Sequence, residues 1–124
     1  MKDMSPQELA KFIAQHPNAV IVDVRFEHER QDCGYINQSH HIPILNAEWD
    51  VNPQFVDEVS KLAAQDVPVV FICRSGNRSY VACELLMAQG YKRVYNLQGG
   101  YVALSHTLTH AKDTNQATLL HLPA

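Results

Sequence analysis

The sequence lacks any apolar run near the ~18 residues of a membrane helix, which excludes a spanning protein. It also lacks a dominant charge. Ten Lys and Arg against 13 Asp and Glu leave a formal −3, and that mild acidity argues against a nucleic-acid partner. Cysteine is scarce and odd in number: Cys33, Cys73 and Cys83, with no CxxC spacing. Neither a disulfide scaffold nor a structural zinc site is expected from such a set. Met1-Lys2-Asp3-Met4-Ser5-Pro6 contains no apolar segment of the kind a secretory signal carries. The expectation is a cytoplasmic protein with reduced thiols. Repeats and low-complexity tracts are absent too. What remains is 124 residues, 46% of them hydrophobic, enough for one domain with a core and too apolar for a disordered chain.

Strands and helices alternate along the chain. Ser5-Pro6-Gln7-Glu8 reads as a capped helix start, with Leu9, Phe12 and Ile13 at helical spacing and a stop at His16-Pro17-Asn18. Ala19 to Val24 is a nearly continuous β-branched run, the pattern of a strand buried on both faces. Residues 25–40 read as a polar loop with a turn at Gly34, and His41 to Leu45 as a second short strand. Asn52-Pro53 opens a helix whose apolar positions are Phe55, Val56, Val59 and Leu62-Ala63. Val67 to Cys73 is the strongest strand signal. A helix from Ser79 to Gln89 follows, ended by Gly90, then a strand from Arg93 to Leu97 and a last short helix after Gly99-Gly100. This order predicts an α/β domain with a mainly parallel central sheet flanked by helices. Beyond Ser105 the pattern fades. Leu119, Leu120 and Leu122 could dock on the domain or a second subunit, or belong to a frayed end.

The charge is unevenly placed. Residues 1–66 hold 5 Lys and Arg against 11 Asp and Glu, while residues 67–124 hold 5 against 2. The positive half contains the most informative segment: a strand ending in Cys73, the loop Arg74-Ser75-Gly76-Asn77-Arg78, and a helix beginning near Ser79. Open α/β sheets bind ligands beyond the carboxyl ends of their strands. The loop amides and helix N-terminus form an anion nest there, with Gly76 supplying conformational freedom. Arg74, Arg78 and the helix end favour the thiolate of Cys73, a nucleophile for an anionic electrophile. A cysteine ending an apolar strand is more often plain core, but a packed cysteine needs no pair of arginines beside it.

Cys73-Arg74-Ser75-Gly76-Asn77-Arg78-Ser79 resembles the active-site loop of the rhodanese-like sulfurtransferases. Ile21-Val22-Asp23-Val24-Arg25 is similar to that family's N-terminal signature, Gly34-Tyr35-Ile36 through Ile42-Pro43 to its Gly-His-Ile…Ile-Pro stretch, and Glu84 to Gly100 to the segment after the loop. The resemblance covers about residues 20–104. It implies a three-layer rhodanese domain over 1–104, with 105–124 as a C-terminal extension. It also implies transfer of the sulfane sulfur of thiosulfate, or a related anionic donor, through a Cys73 persulfide to cyanide, a thiol or a thiol protein. No cofactor or metal is needed. Two other readings stand beside it: a persulfide relay module serving a partner protein, and a small phosphatase or arsenate reductase. The related phosphatase and reductase loops carry one residue more than the C-x4-R spacing from Cys73 to Arg78. Tyr35, Gln38-Ser39 and Leu104 depart from the family pattern without touching the loop.

The other polar residues receive secondary roles. Asp23 and Arg25 end the first predicted strand, and Asp23 is expected to pair with an arginine and help fix the loop. Cys83 falls in the core and Cys33 in a loop, each with a redox role as the less favoured reading. His40-His41 is expected to be structural, and His106 and His110, at i, i+4, lack a third ligand. Glu27, Glu29, Asp32, Asp57 and Glu58 read as a solvated acidic surface. Lys92 and Arg93 are expected either to add to the field around the loop or to face away from it.

Overall fold

The computed structural model describes residues 1–109 and 119–123. Its elements run β1 (Lys2–Met4), α1 (Pro6–Gln15), β2 (Val20–Asp23), α2 (Glu27–Cys33), β3 (Tyr35–Ile36), β4 (His40–His41), α3 (Phe55–Leu62), β5 (Val69–Ile72), α4 (Asn77–Ala88), β6 (Val94–Leu97), α5 (Gly100–Thr109) and β7 (Leu120–His121). Five strands form one parallel sheet in the order β1-β6-β5-β2-β4. The α/β, mainly parallel architecture is therefore as expected. Every residue of β5, the middle strand, is at most 1% exposed, and each such side chain contributes roughly 1.5–3 kcal/mol through burial.

Two cores sandwich the sheet. On one face Val22, Val69 and Phe71 pack with Phe55 and Val59 of α3 and Ala82, Cys83 and Leu86 of α4. On the other, Ile21, Val70 and Ile72 meet Leu9 of α1 and Tyr101 and Leu104 of α5. Alternation along each strand sends successive side chains to opposite faces, which is why these strands read as unbroken apolar runs. α1 starts as its sequence indicates: the Ser5 hydroxyl and N–H both donate to the Glu8 carboxylate, at 2.8 and 3.4 Å.

Several elements differ from expectation. The predicted strand from His41 to Leu45 is only His40–His41, because Pro43 has no N–H to give; Ile42 and Ile44 still donate to Asp23 and Val24 of the neighbouring strand. Residues 27–33 are a helix rather than loop, closed by Gly34 at φ 92. α4 begins at Asn77, so the second half of the expected loop is already its first turn. α5 spans Gly100–Thr109 and so continues across the expected boundary between residues 104 and 105. Leu119 is buried and β7 pairs antiparallel with β3, so this part of the tail docks on its own domain, while Leu122 is 62% exposed. His110 lies outside the described residues. No helix among them is long and apolar enough to cross a membrane.

Candidate active site

Cys73 follows directly on β5, at the carboxyl edge of the sheet, and is 1% exposed. Its sulfur accepts a hydrogen bond from the Gly76 N–H at 3.0 Å and lies 3.2 Å from the Ser79 hydroxyl. Gly76 caps α4 at φ 110, a left-handed conformation that costs glycine least. That turn aims its N–H back at the sulfur and places the positive end of α4 over it.

A second helix end holds the loop from behind. The N–H groups of Tyr101 and Val102 donate to the carbonyls of Cys73 and Arg74, at 2.8 and 3.1 Å. Such contact requires glycine at position 100, since a Cβ there would collide with the Arg74 carbonyl carbon and oxygen. The sequence marked Gly99-Gly100 only as a turn; its close approach to the loop is a feature of the assembled fold.

The loop residues separate by role. Arg74, Ser75 and Asn77 are exposed, Gly76 and Arg78 half-buried, and Ser79 fully buried. Arg74 makes no ion pair among the described residues. Arg78, by contrast, gives both terminal nitrogens to Glu29, at 2.7 and 2.8 Å. Glu29 therefore does not belong to the solvated acidic surface. Its side chain is 15% exposed and also accepts the Phe26 N–H at 2.9 Å, tying α2 to α4. A cleft of about 330 Å³ opens above this pair, lined by Phe26, His28, Glu29, Trp49, Arg74 and Arg78.

Burial works against the charge of Glu29, but the Arg78 and Phe26 hydrogen bonds, with the charges of Arg78 and Arg25, outweigh it. The carboxyl is lowered from 4.5 to about 2. A depressed folded value means stability that is present above about pH 4.5 and lost as pH falls toward 2. Between pH 7 and pH 3 the protein should lose on the order of 2 kcal/mol that Glu29→Gln does not lose, read from denaturant unfolding of both proteins at both pH values. Parallel losses in the two proteins would contradict this assignment.

Asp23 and Arg25 lie on the neighbouring strand end. Asp23 takes hydrogen bonds from Arg25 Nε and Nη2 and from Arg30 Nη1, and Arg25 also donates to the Gly34 carbonyl. The arginines that Asp23 meets are thus Arg25 and Arg30, not those of the loop. The Arg25 guanidinium lies 4.3 Å from the Tyr101 ring centre, and Tyr101 is the residue whose N–H holds Cys73. Lys92 and Arg93 precede β6, at the opposite end of the sheet from Cys73, so they face away from the loop. Burial pushes the Cys83 thiol up to about 12, leaving it an inert core residue. Cys33 ends α2 and is exposed. Among the described residues no group of three or more His, Cys, Asp or Glu is placed to hold a metal.

Asn96 was not anticipated. It is a buried polar residue in the middle of β6, hydrogen-bonded to Ser79 and Gly76. A polar residue inside the apolar run Val94 to Leu97 was the available signal, because buried amides require partners.

Comparison with known proteins gives a consistent set. The model of the rhodanese-like domain family matches residues 5–107. A sulfurtransferase from Allochromatium vinosum is 35% identical over 103 residues, covering 83% of this chain and 87% of that protein. Thiosulfate sulfurtransferase GlpE from Tolumonas auensis is 28% identical over 97 residues, 78% of this chain and 82% of the relative. The crystal structure of a rhodanese-like domain protein from Staphylococcus aureus superposes with a TM-score of 0.67 at 27% identity, covering 84% of this chain and 91% of the other.

Proposed function

The chain belongs to the rhodanese-like domain family, and from that premise we propose that it moves the sulfane sulfur of thiosulfate, or of a related small anionic donor, to a thiophilic acceptor through a persulfide on Cys73. The observation that carries this reading is the position of Cys73 Sγ, under the Gly76 N–H and the α4 N-terminus, at the base of a loop whose Arg74 makes no ion pair among the described residues.

In the first half-reaction the Cys73 thiolate attacks the outer sulfur of thiosulfate. A Sγ–S bond forms, the S–S bond of the donor breaks, and sulfite leaves with the electron pair. In the second, cyanide or a thiolate attacks the outer sulfur of the persulfide, and Cys73 leaves as a thiolate. Each half-reaction places negative charge near Sγ. The Gly76 N–H already points at Sγ, and in this reading the other loop amides from Arg74 to Ser79 and the helix end stabilise that charge with it. Arg74 supplies an exposed counter-charge at the mouth of the cleft, and Arg78, braced by Glu29, a half-buried one. Asp23 and Arg25 support the loop from behind through Tyr101. The three free cysteines suit a reducing compartment such as the cytoplasm.

Trp49, 70% exposed and in edge contact with Phe26 at 5.2 Å, offers more apolar surface than a small dianion uses. It favours a second reading, in which a partner protein delivers the sulfur as its own persulfide. The test is incubation with thiosulfate followed by intact-mass and Cys73-peptide analysis. The expected result is a gain of one sulfur on Cys73, removed by cyanide. No adduct from thiosulfate, with one from a persulfide-bearing donor protein, would replace the first reading by the second.

A further inference from the structure

Ser79 has one hydroxyl proton and two neighbours that compete for it. The Asn96 amide is oriented by its nitrogen, which donates to the Gly76 carbonyl at 3.3 Å and to the Asp3 carboxylate at 3.4 Å. Both are acceptors only, so the amide oxygen is turned toward Ser79 and accepts its hydroxyl proton. With that proton committed, the 3.2 Å contact between Ser79 Oγ and Cys73 Sγ has to be donated by the Cys73 S–H. Read this way, the arrangement suits the neutral thiol. When Cys73 ionises, its proton passes to solvent and Sγ becomes an acceptor only. The Ser79 hydroxyl then turns its proton onto the sulfur and releases the Asn96 oxygen. The Gly76 N–H serves Sγ in both states.

We propose that Asn96 is a positioning residue that holds the Ser79 hydroxyl proton in the resting protein and thereby sets the pH at which Cys73 becomes a thiolate. This rests on the reading of Cys73 as the sulfur-carrying nucleophile. It adds that the threshold for ionisation is governed from the neighbouring strand, by a residue that never touches the sulfur. Hydrogen bonds to an ionised group favour it, and every partner that competes for the donor weakens that preference. The charged and titratable groups around Cys73 are Arg74 and Arg78 on the loop and α4, Glu29 on α2, Asp23 and Arg25 at the end of β2, Asp3 on β1, Cys83 on α4 and Tyr101 on α5. Asn96→Ala takes from Asp3 the hydrogen bond at 3.4 Å and leaves the other groups in place, and an effect carried by Asp3 would persist in a Ser79→Ala background.

The measurement is the rate of Cys73 alkylation by iodoacetamide as a function of pH, quantified on the Cys73 peptide so that Cys33 and Cys83 do not contribute. Asn96→Ala should move the midpoint down by about one pH unit, roughly a tenfold gain in thiolate below the midpoint. Asn96→Asp, which keeps the side-chain size and holds the hydroxyl proton more tightly, should move it up. In a Ser79→Ala background the shift caused by Asn96→Ala should vanish, and that caused by Asn96→Asp should shrink to its direct charge effect. An unchanged midpoint in both Asn96 variants would overturn the proposal, as would an Asn96→Ala shift that persists in full without Ser79. A change confined to the alkaline plateau would mean only a looser loop, and would overturn it as well. Alkylation needs no sulfur donor. Failure here leaves sulfur transfer standing, and failure of thiosulfate loading leaves this coupling standing.

Discussion

Cys73→Ser should end sulfur transfer while leaving the fold in place. The replacement is nearly the same size, and its hydroxyl still accepts the Gly76 N–H that now reaches Sγ at 3.0 Å. Stability should therefore stay within about 1 kcal/mol of the parent. The chemistry should not survive. A hydroxyl stays protonated where a thiol ionises, and an oxygen in place of Sγ offers sulfur no persulfide bond. Turnover with thiosulfate and cyanide should fall by a factor on the order of 10³ or more, and the sulfur adduct on the residue-73 peptide should disappear. Substantial turnover in the serine variant would exclude the persulfide route, whatever the donor. Because Cys83 is fully buried and its thiol raised to about 12, it provides no substitute nucleophile.

The largest expected effect on stability lies one strand away. Asp23→Asn removes the counter-charge of Arg25, a guanidinium in a residue only 1% exposed. An intact buried pair contributes little net stability, since desolvation offsets its attraction, but breaking one strands a buried charge at a cost of about 3–5 kcal/mol. Arg30, which also meets Asp23 at 3.0 Å, loses its partner at the same time. Thermal unfolding should drop by roughly 10 °C or more. Turnover should fall too, even well below the new melting temperature. Arg25 stacks on Tyr101, and the Tyr101 N–H holds the Cys73 carbonyl, so slackness at Asp23 reaches the loop through two contacts. A variant with parent stability and parent turnover would reduce the Asp23–Arg25 pair to an ordinary strand-end contact.

What the sequence disclosed depended on whether a residue's partner lay nearby in the chain or far from it. The buried strands β2 and β5 were legible because β-branched runs carry their burial in their own composition, and β6 from the apolar residues Val94, Tyr95 and Leu97. α1 and α4 were legible from Ser5, Pro6, Glu8 and Gly90, which act within one turn. The nucleophile loop was legible because Cys73, Gly76 and Ser79 act on one another across six residues. α2 was not, since none of its residues is buried and it shows no apolar stripe. β1 was missed as well: of Lys2, Asp3 and Met4 only Met4 is buried, too little for a pattern. Glu29 looked like its acidic neighbours until folding brought Arg78 to it from 49 residues away. Asn96 could be singled out as polar in an apolar strand, but its partners Asp3, Gly76 and Ser79 belong to other elements.

The order β1-β6-β5-β2-β4 has a consequence for synthesis. Lys2 pairs with Tyr95 and Asp3 with Asn96, so β1, made before the other strands of this sheet, is among the last to find its place. Until residues 94–97 emerge, β5 presents a bare edge on one side and β1 has nothing to join. A chain released before that point has an open sheet and no Asn96 beside Ser79. It also lacks the α5 amides that grip Cys73. Such a fragment is prone to edge-to-edge association. The reactive loop is thus assembled only once nearly the whole domain has been translated, and a prematurely terminated chain is left with an unsupported cysteine rather than a working one.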